Sequence, residues 1–429
     1  MDKGLASIAV DLTPILPGGE NGGAKIFVLE LLRRLAAMAP TTQFVLLTQA
    51  ASHEELANLE CANVSRRMIV GPPVALAVRP RLEATARRLL RHFPMRLHGL
   101  VMRLAYRLNG ALKRGGSSTL LRDLGVDLLF CPFTAPTYFE PGVPTVCSIY
   151  DLQYKTYPEF FTPEDVAQRD QTFIAACRRA TALAAISDYS RETAIQHGVL
   201  DPARIRTIHL RMSQRMAAHP GEHPQILGRL GLVAGRYLIY PANFWRHKNH
   251  EMLLTAFGMA SHAGLAADIK LVCTGAPGER QRYLVQAAAA MGLGERIIFP
   301  GYVPSEELAA LLAGARGMVF PSLYEGFGLP VVEAMAVGIP VACSNITSLP
   351  EVAADAAILF DPRIPTQIAA AIVGLVEDEA TRKRLIDSGR QRAAEFSDSE
   401  RMAREYWELF LYAMTNPSEI NQSSGRMNK

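Results

Sequence analysis

The sequence predicts an α/β protein built from two doubly wound domains, on three observations. Short apolar runs that stop at polar or turn residues recur along the chain, with amphipathic helical stretches between many of them. The series occurs twice, with an irregular stretch in the middle. The length, 429 residues, also exceeds the ~100–200 residues of one typical domain. Strands covered on both faces read as continuous apolar runs, so their alternation with helices points to parallel sheets.

The elements follow in order. Ser7–Asp11 is a short strand, PILPGGENGGAK a Gly/Pro loop, Ile26–Met38 an amphipathic helix and Phe44–Leu47 the next strand. From Gly125 come VDLLFC, PTVCSIYD and ATALAAIS, each a strand-like run. The second series starts near Ile208. Its strands are YLIYPAN, IKLVCTG, RIIFPGY, GMVFPS, IPVACSN and AAILFDP. Its helices are His250–Ala260, Arg280–Met291, Ser305–Ala313 and Leu329–Ala336. The expected division is a first domain at 1–212, a second at 213–396, a helix at 397–414 able to cross back to the first, and a disordered polar tail at 415–429. The halves share a pattern and not residues, so they are no sequence repeat. Each is Rossmann-like, and the two are expected to face each other across a cleft.

Composition narrows the class. With 49% apolar and 20% charged residues the chain is globular. A net charge of +4 is too small to point to a nucleic-acid partner. Six cysteines, Cys61, Cys131, Cys147, Cys177, Cys273 and Cys343, have no metal-ligand spacing and read as small buried residues in a reduced compartment. The start lacks a signal-peptide pattern, and nowhere do about 18 apolar residues run unbroken. The expected location is cytoplasmic.

The stretch 79–114 differs from its surroundings. It carries ten basic residues against one acid, Glu83, while Leu82, Ala86, Leu89, Leu90, Phe93 and Leu97 recur at helical spacings. A basic amphipathic helix is what an anionic bilayer surface attracts. An insertion packing its apolar face on its own domain is compatible with the same pattern.

The chemistry concentrates in VFPSLYEGFGLPVVEAMAVGIPVACSN, 319–345. Glu325 and Glu333 flank Gly326-Phe327-Gly328-Leu329-Pro330, after which a helical pattern begins. Glycines before a helix N-terminus let backbone N–H groups approach an anion, and Pro330 suits the first helical turn. Glu325 is then expected on the loop and Glu333 about one turn into the helix, both toward one cleft. Carboxylates there suit sugar and ribose hydroxyls.

This string resembles the signature of retaining glycosyltransferase family four. The likeness continues in RIIFPGYVPSEELAALLAGA, SNITSLPEVAADAAILFDP, YPANFWRHKNHEMLLTAF and AISDYSRETAIQHGV, and covers roughly 145–362. Among such enzymes the chain is similar to bacterial O-antigen-type mannosyltransferases. The resemblance implies a GT-B fold, a nucleoside-diphosphate-sugar donor, retention of anomeric configuration, and no bound metal or other cofactor. The acceptor it implies is an oligosaccharide or a lipid-linked sugar. That places the enzyme peripherally on the inner face of the cytoplasmic membrane, with mannose from a guanine nucleotide as the first donor to test.

Carried over onto this sequence, the resemblance gives Glu325 the donor sugar hydroxyls and Glu333 the ribose. The amides of Gly326, Phe327, Gly328 and Leu329 line the sugar and diphosphate pocket, and Lys248 contacts the diphosphate. A lysine with helix-end amides can stabilise the charge that builds on a leaving diphosphate. Two positions depart from the pattern. Many relatives have an arginine where Asn243 stands, and Arg246 is near enough to replace it. Many also have a histidine where Tyr150 stands, before Asp151 of the first domain's cleft loop. Tyrosine is a poor base at neutral pH.

In the first domain Gly18-Gly19 and Gly22-Gly23 precede the first helix and could cradle an anion, with Lys25 nearby. They do not form GxGxxG, so a dinucleotide oxidoreductase lacks its fingerprint. Two carboxylates could suggest a glycosidase, but both belong to one loop–helix unit with phosphate-binding features. The mechanism expected is front-face substitution, in which the protein mainly positions and stabilises the leaving group. A nucleotide-sugar epimerase or phosphorylase on the same fold stays open. So does a non-catalytic lipid- or protein-binding relative, since the usual histidine and arginine are missing.

Overall fold

The computed structural model describes residues 4–17, 22–71, 119–217 and 225–416. The basic stretch 79–114, the pair Gly18-Gly19 and the chain beyond 416 lie outside the described residues.

Two parallel sheets form the frame. The first holds β1 (Ser7–Asp11), β2 (Gln43–Gln49), β3 (Val64–Val70), β4 (Leu128–Cys131), β5 (Thr145–Ile149), β6 (Ala182–Ala185) and β7 (Ile205–Thr207), in the order β3-β2-β1-β4-β5-β6-β7. The second holds β8 (Tyr237–Pro241), β9 (Lys270–Thr274), β10 (Ile297–Gly301), β11 (Gly317–Phe320), β12 (Val341–Ser344) and β13 (Ala357–Phe360), in the order β10-β9-β8-β11-β12-β13. Each sheet reverses its winding once, between β1 and β4 and between β8 and β11. Such reversals open a crevice beyond the carboxyl ends of the strands.

The central strands are apolar because both faces are covered. β4 (LLFC) and β5 (TVCSI) are buried along their whole length. Along β1, Ile8 and Val10 face one layer, which includes Phe27 and Leu31 of the helix Gly22–Met38. Ala9 faces the other, with Phe173 and Cys177 of the helix Pro163–Arg179. Around the second sheet a single apolar cluster joins Leu253 and Phe257 of the helix His250–His262 to Ile372 and Leu375 of the helix Pro365–Glu377.

The chain ends on the domain where it began. Asp398 caps the helix Ser399–Thr415 by accepting the Arg401 N–H at 2.7 Å. The Tyr406 ring then lies 6.0 Å from Phe27 and 5.6 Å from Phe130, and its hydroxyl is 3.2 Å from that of Ser148. Thr415, expected in the tail, still belongs to this helix. Two further expectations need correction. The first long helix begins at Gly22 and not at Ile26, because Gly22 takes a φ of +53° and turns the chain directly into it. Cys61 is exposed, unlike the other five cysteines, because it lies in the turn entering β3. Among the described residues no helix is long and apolar enough to cross a membrane.

Candidate active site between the two domains

The carboxyl ends of β5 and β6 meet the loop that follows β11. The contact is close. A Cβ on Gly326 would lie 2.2 Å from the Tyr150 carbonyl oxygen, so only glycine allows the two backbones to meet. The Leu152 N–H donates to the Tyr324 hydroxyl at 3.3 Å, and the rings of Tyr189 and Tyr324 meet edge to face at 5.8 Å.

Lys248 and Glu325 lie at this junction, 77 residues apart in sequence, with Nζ 2.6 Å from Oε1. Their side chains are 13% and 11% exposed. Lys248 ends the short 3-10 turn Arg246–Lys248 that follows β8, and its carbonyl accepts the Tyr240 hydroxyl at 2.7 Å. The Glu325 backbone is pinned at both polar groups. Its N–H donates to Thr347 Oγ1 at 3.2 Å, and its carbonyl accepts from the Ser348 hydroxyl at 2.9 Å. An ammonium has three donors and a carboxylate about four acceptor sites, so each keeps capacity beyond the pair.

The helix Leu329–Ala336 starts beside them. Gly328 precedes it with a φ of +94°, packed so tightly that a Cβ would meet Leu349 at 2.5 Å. Among the described residues, the N–H groups of 326–329 have no acceptor within the protein. Such groups form the positive end of a helix. Glu333 is buried one turn inside, where its Oε1 accepts from Arg215 Nε at 2.6 Å. Burial raises the Glu333 carboxyl above its ordinary range, and the Arg215 guanidinium opposes that rise.

Asp151 faces this group from the first domain. Its carboxyl is raised by burial, and it feels the charges of Arg169, Glu325 and Lys248. The Tyr150 ring turns into the first domain, 6.1 Å from Phe27 and 6.4 Å from Phe133. Its hydroxyl is buried with no hydrogen-bond partner, and burial pushes it well above the usual phenol range. The part of Tyr150 that meets the second domain is its carbonyl.

Other expected residues are placed differently. Asn243 Oδ1 accepts the Ala276 N–H at 2.8 Å and so ties down the loop after β9. Arg246 is exposed, and among the described residues its side chain has no hydrogen bond or ion pair. Gly22 and Gly23 open the first helix with free space around both, whereas Lys25 is buried, 2.6 Å from Glu55 and 3.1 Å from the Leu16 carbonyl. Arg169 and Arg215 were not legible from spacing, because each comes from a distant segment. His247, in the turn Arg246–Lys248, and His250, which opens the following helix, are driven by burial to about 2 and about 3, so both are neutral at physiological pH.

Asp11 was also missed. It ends β1 at the winding reversal of the first sheet, only 1% exposed. Oδ1 accepts from the Thr13 N–H and hydroxyl at 3.0 and 2.6 Å, while Oδ2 has no partner. Burial pushes its carboxyl up to about 6. A carboxyl raised on folding stabilises the fold below the unfolded value, near 4, and loses that contribution as pH rises through about 6. Urea unfolding from pH 4 to 7 should therefore reveal a loss of stability larger in the wild type than in Asp11→Asn by on the order of 3 kcal/mol. Parallel pH profiles for the two proteins would rule out a neutral Asp11.

Two parallel, doubly wound domains closing on a lysine–glutamate pair, with a helix N-terminus beside it, define a GT-B protein. Comparison with known proteins agrees. A family profile described as "Glycosyl transferases group 1" matches residues 232–392. The chain is 30% identical over 373 residues to O-antigen chain mannosyltransferase B of Escherichia coli, an alignment covering 86% of this chain and 91% of that one. It therefore belongs to the group 1 glycosyltransferases. The crystal structure of HepE from Anabaena in complex with UDP and glucose has a TM-score of 0.67 at 17% identity, covering 94% of this chain and 98% of the other. Sucrose-phosphate synthase from Thermosynechococcus elongatus has a TM-score of 0.69 at 20% identity, covering 96% and 100%.

Proposed function

We propose that this glycosyltransferase transfers mannose, with retention, from a guanine-nucleotide sugar to a hydroxyl of a growing, lipid-linked envelope polysaccharide. The observation that carries this reading is the Lys248–Glu325 pair beside the unpaired amides of 326–329, with Asp151 opposite. The relationship to the E. coli O-antigen chain mannosyltransferase supports mannose and a polysaccharide acceptor. The UDP and glucose held by HepE support a nucleotide-sugar donor. The composition of 79–114 suits the anionic membrane surface at which a lipid-linked acceptor resides.

The residues divide the work. Lys248 and the amides of 326–329 hold the diphosphate. Glu325 accepts hydrogen bonds from the donor sugar, and Glu333, anchored on Arg215, takes the ribose hydroxyls. The acceptor oxygen bonds to the anomeric carbon on the face from which the diphosphate departs. The carbon–oxygen bond to the β-phosphate breaks, its electron pair stays on the diphosphate, and a phosphate oxygen takes the acceptor's proton. The protein supplies orientation and charge stabilisation.

The test is turnover of GDP-mannose, UDP-glucose and UDP-N-acetylglucosamine, with product stereochemistry read by NMR. GDP-mannose should be consumed, the product should keep the α configuration, and EDTA should leave the rate unchanged. Glu325→Gln should lower kcat far more than it weakens GDP binding. An inverted product overturns the mechanism, and strong EDTA inhibition overturns the charge assignment. Failure to bind or turn over any nucleotide sugar overturns the reading altogether.

A further inference from the structure

The helix Asp188–Gly198 belongs to the first domain, yet its N-terminus is completed by the second. Ser187 caps it by accepting the Ser190 N–H at 3.0 Å. The N–H groups of Asp188 and Tyr189 have no helical acceptor of their own. They donate to the two carboxylate oxygens of Glu351, at 2.8 and 3.1 Å. Glu351 Oε1 is also 2.7 Å from His209 Nε2, on the segment that leaves the first domain. Burial acts to raise the Glu351 carboxyl, but the bonds from His209 and the two amides outweigh it and hold the group below its ordinary range. Asp188, His209 and Glu351 could resemble a metal site. Their bonding is instead satisfied within the protein, since Asp188 Oδ1 accepts from the Thr207 hydroxyl at 2.5 Å.

The same turn touches both neighbours of Glu325. The Ser190 hydroxyl donates to the Tyr150 carbonyl at 2.8 Å and lies 3.2 Å from the Gly326 carbonyl. The Tyr189 ring meets Tyr324. From the other side, Thr347 and Ser348 hold the Glu325 backbone and lead directly into the short helix Leu349–Ala353, which carries Glu351. Tyr189 and Ser190 thus grip the loop carrying Glu325, and Glu351, held by the amides of Asp188 and Tyr189, ties the back of that loop to the same turn.

We infer that residues 188–190 and Glu351 form a clasp that holds the two domains closed and sets Glu325, making Ser190 and Glu351 positioning residues for the transfer. The inference rests on the donor-site reading above. A charge-assisted cap across the domains favours the closed arrangement, and no atom of the clasp needs to touch the sugar.

The experiment uses Ser190→Ala, Glu351→Ala and Glu351→Gln in the full chain. It measures kcat for GDP-mannose, Kd for GDP, Tm, and radius of gyration by solution scattering. Glu351→Ala should lower kcat roughly tenfold or more, on the scale of a lost hydrogen bond to a charged group, and Ser190→Ala about three- to tenfold, on the scale of neutral bonds; in both alanine variants the effect is on kcat. GDP binding should stay within about twofold, because the nucleotide pocket lies in one domain. Their radius of gyration should exceed that of the wild type. Glu351→Gln should fall between, since it keeps an acceptor oxygen but no charge. Unchanged scattering, or a lowered Tm with kcat intact, overturns the clasp. So does a loss of GDP affinity as large as the loss of kcat. A wild type that neither binds GDP nor turns over a nucleotide sugar overturns the donor-site reading instead, and the scattering comparison still decides the clasp.

Discussion

Replacing Lys248 with methionine should lower turnover by a factor of about a hundred or more, the usual scale for losing a preorganised charge-stabilising donor. The residue is held on three sides. The Tyr240 hydroxyl fixes its carbonyl, the Phe320 ring lies 5.8 Å from Nζ, and the ammonium meets Glu325 at 2.6 Å. Methionine keeps the length and apolar body but leaves the Glu325 carboxylate largely buried without its cation. Breaking one side of such a pair costs several kcal/mol in general, on the order of 3–5. Stability should therefore fall along with activity, and the two losses can be separated. In Lys248→Met combined with Glu325→Gln, most of the stability should return and none of the activity. Added Mg²⁺ should partly restore turnover in the single variant. A kcat within about fivefold of wild type in Lys248→Met would remove Lys248 from the chemistry.

Gly326→Ala should be nearly as damaging, by a different route. The added Cβ would lie 2.2 Å from the Tyr150 carbonyl oxygen and 3.0 Å from its carbonyl carbon, both backbone atoms with no rotamer to relieve them. The two residues belong to opposite domains, so the clash is relieved by parting them. The expected result is a kcat lowered about a hundredfold, consistent with reacting groups displaced by roughly an ångström, with GDP affinity and Tm close to wild type. Gly328→Ala provides the contrast. Its φ of +94° and its neighbour Leu349 lie within the second domain, so that variant should lose stability as well. Normal turnover in Gly326→Ala, measured against GDP binding, would mean that the two backbones need not meet during the reaction.

The architecture was largely legible because buried parallel strands leave a simple trace. IKLVCTG and IPVACSN are short apolar runs ended by Gly or Asn, and both contain strands, β9 and β12. The helix expected at His250–Ala260 runs to His262. Glu325 and Lys248 were legible as a pattern, but their direct pairing was not, since nothing local links residues 77 apart. Arg215 was hidden for the same reason. It lies in an irregular stretch without periodicity, and only the folded chain carries it to Glu333. Glu351 has the appearance of an ordinary helix acid until the other domain supplies the two amides it accepts. Tyr150 invited comparison with a histidine by position alone, whereas its surroundings, Phe27 and Phe133, decide where the ring goes.

The return of the helix Ser399–Thr415 to the first domain has a mechanical consequence. The polypeptide crosses between the domains twice, once after β7 and once at 396–398. The two crossings are bonded to each other. The Ser213 N–H donates to the Phe396 carbonyl at 3.1 Å, the Ser213 hydroxyl to the Ala393 carbonyl at 2.7 Å, and Arg211 to the Glu395 carbonyl at 2.7 Å. A single tether would leave the domains free to swivel and slide. Two tethers laced side by side remove most of those degrees of freedom and leave bending about one line, in the manner of a door on two pins. Any bending about that line keeps Asp151 on the same side of Lys248 and Glu325, so their alignment is inherited from the path of the chain.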